Sequence, residues 1–377
     1  MEGQFIAIDS PSGPPTPGHG RSVLLAMSGG VDSAVSAVAL VEAGYRVTGM
    51  TMKNYCYGDA AVPERSCCSM DAIDDARGVC QRLGIRHMVV STEEMFGREV
   101  YGDFLSEYAS GRTPNPCVRC NSIVRFDTLA EWSDKMGYDF VATGHYARIF
   151  RSGAGRYYVA RSTNDAKDQA YFLAGVNPLL LDRVLFPLGD RDKPAVREHA
   201  RKAGLAIAEK PESQDVCFIS SRTLREFLDG KVPMTPGPIL NRDGEVLGTH
   251  DGIATYTIGQ RKGLGVAAGR PQYVVSIDPA RNAVVLGDDE DLLAHELTCR
   301  IAWLDAGAAT AAHALCAQIR SRHPAEPVSA LVADRNTARV TFVTPQRAVA
   351  PGQTIALFDG DVVVGAGVIE SAGPPRR

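Results

Sequence analysis

The sequence predicts an α/β fold: a doubly wound parallel sheet, then a small β-rich middle domain, then a compact C-terminal antiparallel β-barrel. Three observations carry this reading. Up to about Tyr146, short apolar runs alternate with helix-length stretches, the pattern of a parallel sheet covered on both faces. The first strand joins its helix through Ser28-Gly29-Gly30-Val31-Asp32-Ser33, a turn that two glycines allow to be tight. Beyond about Leu228 the chain is rich in Gly and Pro and alternates over short segments, as β modules do.

Residues 23–27 are continuously apolar and read as a buried strand. Residues 34–43 are rich in Ala and Val and stop at Gly44, a helix end. Residues 45–52 form a second strand, parallel to the first because a helix separates them. Residues 53–66 break the pattern with Gly58, Asp59 and Pro63 and read as a surface loop near the ligand edge. Ser69 or Asp71 caps a helix that ends at Gly84, and residues 85–91 form a third strand. Residues 93–110 and 121–136 read as helices, each followed by Gly, and residues 138–143 as a fourth strand. Ligands of such sheets sit at the carboxyl ends of the strands, where Ser28–Ser33, Met52 and Gly144-His145 all fall. Residues 149–161 read as a hairpin, 194–203 as a short helix and 253–258 as an alternating β segment. Residues 339–343 and 362–369 read as barrel strands.

At 377 residues the chain is long enough for two or three domains. We divide it into a tail at 1–20, an α/β domain at 21–222, a β-rich central domain at 223–293 and a barrel at 294–377. The tail is rich in Pro, Gly and Ser, a composition that stays disordered, and it lacks the basic start and apolar stretch of a signal peptide. Apolar content is 45% and charged content 22%, and no apolar run approaches the ~20 residues of a membrane span. Nine Cys without a signal sequence point to a reducing, cytoplasmic setting, in which clustered thiols react or bind metal rather than staple the fold. The net charge of −4 means that a nucleic-acid partner needs local basic patches.

The strand–glycine turn–helix unit is built to hold an anion, because the turn and the helix start both aim backbone N–H groups at one point. It is neither G-x-x-x-x-G-K-[ST] nor G-x-G-x-x-G, so two common phosphate loops are excluded. Cys117 and Cys120 follow Thr113-Pro114-Asn115-Pro116, a loop held extended ahead of a helix. The helix dipole, Arg119 and Arg125 favour the thiolate there, which makes a nucleophile available at neutral pH. Half of a zinc site is the competing reading, but no second C-x-x-C exists and adjacent Cys67-Cys68 are poorly placed for one metal. Cys56, Cys80, Cys299 and Cys316 read as small buried residues, and on the residues alone so does Cys217.

The turn at 28–33 resembles the SGGxDS loop of the N-type ATP pyrophosphatases. Together with Thr113-Pro114-Asn115-Pro116, Cys120-Asn121, Ala142-Thr143-Gly144-His145-Tyr146, Lys167-Asp168-Gln169 and Ser213-Gln214-Asp215-Val216-Cys217-Phe218-Ile219, the resemblance narrows. Tyr256-Thr257-Ile258-Gly259-Gln260-Arg261-Lys262-Gly263 and Ala350-Pro351-Gly352-Gln353 complete it. From residue 21 onward the chain resembles the tRNA-specific 2-thiouridylases.

That resemblance implies an adenine nucleotide α-hydrolase-like fold and a set of roles. ATP would contact Ala26, Met27, Ser28, Gly29, Gly30, Val31, Asp32, Ser33, Met52 and Gly144, with Asp32 tied to magnesium. The target base would meet Asn115, Pro116 and Cys117, and tRNA would meet His145, Lys167, Asp168, Gln169, Arg320, Ser321 and Gln353. Cys217 would carry persulfide sulfur, and Cys120 would release it and form a disulfide with Cys217. The partners implied are the anticodon loop with its wobble uridine and a persulfide-carrying donor protein; the chain itself would be a cytoplasmic monomer. Arg320, Arg322, His323, Arg335, Arg339 and Arg347 would supply phosphate contacts.

Two residues depart from the family pattern. Cys117 stands where many members have Asp, which makes Cys117, Cys120 and Cys217 a three-thiol set able in chemistry to hold a 4Fe-4S cluster. Ser321 stands where an aromatic residue is common, which removes a stacking contact. The competing functions are the cluster-dependent form of the same thiolation, another adenylating ATP pyrophosphatase and a non-catalytic tRNA-binding protein. Neither of the last two gives a use to all of the loop, Cys120 and Cys217.

Overall fold

The computed structural model describes residues 18–54, 69–211, 216–219, 223–266, 269–305, 307 and 315–373. The tail up to residue 17 and the loop at 55–68 lie outside these residues, as do Ser213, Gln214 and Asp215. Two compact units emerge: Met1–Val100 with Cys117–Ser221 and Asp361–Val363, and Tyr101–Pro116 with Arg222–Gly360 and Val364–Arg377.

The first unit holds a five-stranded sheet made of β1 (Ser22–Ala26), β2 (Arg46–Lys53), β3 (Arg86–Ser91), β4 (Phe140–Ala142) and, after the hairpin β5 (Ala147–Arg151) and β6 (Tyr157–Arg161), β7 (Val184–Leu185). The order is β3-β2-β1-β4-β7 with every neighbouring pair parallel, as the alternation of strands and helices predicts. Val23, Leu24 and Leu25 are wholly buried, so this strand is apolar on both faces, as the central strand of a covered parallel sheet must be. Each such side chain contributes roughly 2 kcal/mol on burial. The helix α1 (Val31–Glu42) is buried on almost every side, which explains its uniformly small and apolar composition. Ser69 caps α2 (Met70–Leu83) by accepting from the Ala72 N–H, and Gly84 ends it in the left-handed conformation.

Four local expectations change. The helix expected over 121–136 starts earlier, at Pro116, whose missing N–H suits a first helical position, so Cys117 and Cys120 lie inside it. It runs as Pro116–Arg119, a π segment Cys120–Phe126, and Asp127–Met136. The helix at Glu93–Phe96 likewise passes through a π segment, Gly97–Gly102, before Asp103–Ala109. Residues 253–255 form a 3-10 turn instead of a strand, with Ile253 and Ala254 buried. Strand β7, only two residues long, carries too little sequence to be recognised beforehand.

The second unit contains a four-stranded sheet of β8 (Gly237–Leu240), β9 (Val246–His250), β10 (Tyr273–Asp278) and β11 (Ala283–Gly287) in the order β10-β11-β8-β9. Its core gathers Ile239, Val274, Val284 and Leu286 with Tyr256 and Leu264. The expected C-terminal barrel is present. Strands β12 (Leu293–Leu304), β13 (Leu315–Gln318), β14 (Glu326–Asp334), β15 (Thr337–Arg347), β16 (Thr354–Asp359) and β17 (Val362–Ala372) run in the order β12-β15-β14-β13-β16-β17. Antiparallel pairing of β12 with β17 closes the ring and leaves no sheet edge between them.

Candidate active site

A cavity of about 410 Å³ opens at the carboxyl ends of β1 and β4. Strand order reverses at this point, because β2 and β3 continue on one side of β1 and β4 and β7 on the other. Two loops that diverge from a switch point leave a crevice between them, which is why ligands of open α/β sheets bind there. All ten residues expected to contact ATP line it: Ala26 to Ser33, Met52 and Gly144.

The floor of the cavity is backbone. Gly29 has φ +67°, and a Cβ on it would stand 2.2 Å from the Ala72 carbonyl oxygen. The α1 N-cap, Gly30, brings no side chain to the helix start, so the first amides of α1 face the cavity without a capping oxygen. The Ser33 hydroxyl donates to the Gly30 carbonyl at 3.0 Å and accepts from the Ser28 N–H at 3.2 Å, which holds the turn closed. Gly144 packs on the same turn: a Cβ there would meet the Ser33 nitrogen at 2.8 Å and the Asp32 carbonyl carbon at 2.9 Å.

Charge is arranged around that floor. The Asp32 carboxylate accepts from the Tyr146 hydroxyl at 2.7 Å and from Lys193 Nζ at 2.7 and 2.9 Å. Lys210 Nζ donates to the Gly29 carbonyl at 3.1 Å and pairs with Asp75 at 2.5 Å. Arg125 donates to Asn121 Oδ1 and to His145 Nε2, the latter at 3.1 Å. Asn121 is itself anchored by donating to the Phe172 carbonyl at 3.1 Å.

His145 is buried, and both ring nitrogens are engaged, Nδ1 with the Thr143 hydroxyl at 2.7 Å. An arginine donor on Nε2 requires a lone pair there, so the proton sits on Nδ1 and the ring is neutral. Desolvation, and then the Arg125 guanidinium, hold its pKa well below the usual 6.5. Unfolding returns the ring to its ordinary value, so below that value the unfolded chain binds a proton that the folded chain refuses. This contribution to stability is therefore present above about pH 6.5 and is lost as the pH falls through it. His145→Asn should flatten that dependence, measured as the difference in urea midpoint between pH 7.5 and 5.5; an unchanged slope would refute a neutral buried ring.

The thiols divide. Cys120 lines the cavity together with Arg125. Cys117 and Cys217 are half-buried and do not line it. Phe218 packs edge-on against Phe96 at 5.9 Å, which puts the Cys217 turn beside the helix that follows β3. Cys120 and Cys217 lie in one compact unit, so their separation in sequence does not place them in different parts of the fold. Among the described residues no three His, Cys, Asp or Glu side chains gather as a site for a single metal ion. Arg119, expected to favour the thiolate, is paired with Glu99 at 3.0 Å, while Arg125 lines the cavity beside Cys120. Cys80 and Cys299 are buried as expected, and desolvation pushes both thiols up to about 11.

Of the residues expected at RNA, Lys167, Gln169 and His145 line the cavity. Gln169 Oε1 accepts the Tyr146 N–H at 2.9 Å. Asp168 turns inward: it pairs with Arg161 at 2.7 Å and accepts from the Ser162 and Ala170 N–H groups, which uses its oxygens to shape the loop. In the second unit, Gln353 donates to the Thr113 carbonyl at 2.9 Å and so braces the loop that carries Asn115 and Pro116. Arg320 donates to the Arg347 carbonyl at 3.2 Å, and the Ser321 carbonyl accepts from Gln318 at 3.2 Å.

Lys193 and Lys210 escaped the sequence reading. For Lys193 a signal existed: it opens a helix capped by Asp192 and followed by Pro194, where the positive end of the dipole disfavours a cation.

Comparison with known proteins agrees with this geometry. Residues 21–221 match the family model described as tRNA methyl transferase HUP domain, residues 225–288 the tRNA methyl transferase PRC-barrel domain, and residues 295–369 the aminomethyltransferase beta-barrel domain. The chain is 44% identical over 355 residues to the tRNA-specific 2-thiouridylase MnmA of Heliobacterium modesticaldum, covering 93% of this chain and 92% of that one. It is 44% identical over 359 residues to the enzyme of the same name from Geobacter metallireducens, covering 93% and 97%. With close to half of its residues shared across nearly the full length of these relatives, the chain belongs to the tRNA-specific 2-thiouridylase family.

Proposed function

We propose that this chain converts the 2-carbonyl of a tRNA wobble uridine into a thiocarbonyl, with ATP as activator and a cysteine persulfide as sulfur source. The observation that carries this reading is the coincidence, in one cavity, of an uncapped helix start with two glycines and of the Cys120 thiol. The first is built for phosphate and the second for sulfur chemistry.

Oxygen is a poor leaving group from a pyrimidine ring. Attack of the uridine O2 on the α-phosphorus of ATP forms an O–P bond and expels pyrophosphate toward the amides of Gly29, Gly30 and α1. The terminal sulfur of a Cys217 persulfide then bonds to C2, and AMP leaves with the oxygen. Cys120 attacks Cys217 Sγ, the bond between Cys217 and the transferred sulfur breaks, and 2-thiouridine is released with a Cys120–Cys217 disulfide. An external dithiol takes up that disulfide by exchange, is itself oxidised, and returns Cys120 and Cys217 as thiols before the next turnover.

Asp32 has the carboxylate chemistry for magnesium and faces the phosphate floor, so it would hold the ion that shields the departing pyrophosphate. No step above needs an iron–sulfur cluster on Cys117, Cys120 and Cys217; iron and acid-labile sulfide assays on anaerobically purified protein test for one. A protein that delivers persulfide to Cys217 completes the cycle, and we place the enzyme in the cytoplasm as a monomer. Nucleoside mass spectrometry of tRNA from a strain lacking the gene should show wobble 2-thiouridine gone and its unthiolated parent in its place. Unchanged thiolation would remove the proposal.

A further inference from the structure

Lys193 carries an inference beyond these roles. Its side chain is only 11% exposed, and it sits at the first turn of the helix Lys193–Lys202. Both circumstances work against an ammonium group: desolvation penalises the charge, and the helix dipole repels it. A lysine maintained there needs a strong counter-charge, and it has one. Nζ bridges both oxygens of Asp32, and it lies 5.9 Å from the centre of the Tyr146 ring, whose hydroxyl bonds the same carboxylate. Asp32 is in turn the second residue of α1, beside the amides that face the cavity. Among the described residues Asp32 is the carboxylate that lines the cavity, and it is neutralised by a lysine that does not itself line it.

We propose that Lys193 is a polyphosphate-positioning residue that Asp32 holds in reserve. Asp32 would hold the cation that accompanies a nucleotide, and the Lys193 ammonium, released from the carboxylate, would turn to a β- or γ-phosphate oxygen. Holding the lysine in reserve has two effects. It removes the repulsion that a bare Asp32 would exert on an incoming polyanion, and it keeps the ammonium desolvated and aimed, so little ordering remains to be done on binding. This inference rests on the ATP reading of the cavity.

The test separates a phosphate contact from a mere partner of Asp32. Equilibrium binding of magnesium-ATP, pyrophosphate and AMP is measured for the wild type, Lys193→Met, Asp32→Asn and the double variant, with thermal midpoints as the folding control. Lys193→Met should weaken ATP and pyrophosphate at least about tenfold and change AMP less than about threefold. The double variant, which has no uncompensated carboxylate and so remains foldable if the single variant does not, should bind ATP at least about tenfold more weakly than Asp32→Asn alone. Equal affinity of the double variant and Asp32→Asn would overturn the inference, as would parallel losses for ATP and AMP. A wild type that binds no ATP would instead sink the reading of the cavity itself.

Discussion

Cys217→Ala should abolish 2-thiouridine formation, with a loss of about 10³-fold or more, while magnesium-ATP affinity stays within about twofold. The size of the effect follows from the chemistry assigned to the thiol. Without Sγ there is no atom to carry the persulfide, so the step has no slower version to fall back on. The small effect on ATP follows from placement: the Cys217 turn is held by Phe218 against Phe96, and Cys217 does not line the nucleotide cavity. Incubating each variant with tRNA, ATP and a persulfide donor, then digesting to nucleosides for mass spectrometry, reads the first quantity. Isothermal titration reads the second. Sulfur incorporation within tenfold of wild type would place the persulfide elsewhere.

Gly29→Ala should cost about a hundredfold in ATP affinity. Two independent penalties meet at this position. A φ of +67° disfavours any residue with a Cβ by about 1 kcal/mol or more, and the new methyl would lie 2.2 Å from the Ala72 carbonyl, a backbone atom in the first turn of α2 that cannot swing aside as a side chain would. Relief requires the turn to lift away from α2, which re-aims the amides that form the phosphate floor. The thermal midpoint should fall as well, in line with about 1–3 kcal/mol for overpacking. Gly84→Ala serves as the comparison, because that glycine also has positive φ but has nothing within 4 Å of the added carbon. If both substitutions weakened ATP equally, the floor would not be the site of binding.

The parallel sheet was legible because its signals are local: an apolar run at 23–27, a glycine at each helix end, and Ser69 where a cap is needed. The same holds for the nucleotide floor, since every residue of the turn is contiguous. What escaped are features made by distant segments. Lys193 reaches Asp32 across 161 positions, and only the electrostatic oddity of a lysine at a helix start hinted at it. Asp168 shows the local counterpart: its carboxylate pairs with Arg161, seven residues away, and satisfies two backbone N–H groups of the same tight loop. The π segments were invisible for a different reason. An inserted residue leaves the amphipathic pattern on either side intact and shifts only its phase.

That phase shift has a consequence at Cys120–Phe126. In an α-helix, residues five apart point about 140° away from one another. The wider π turn bonds residue i to i+5 and brings such a pair toward one side, and Cys120 and Arg125, five apart, both reach the cavity. The spacing of the Cys120 thiol and the Arg125 guanidinium is thus set by one surplus residue in the coil, so chain length, as much as residue identity, sets the surroundings of this thiol. Substitutions along this stretch can be absorbed one side chain at a time, whereas losing a single position would rewind it to α geometry and part the two groups.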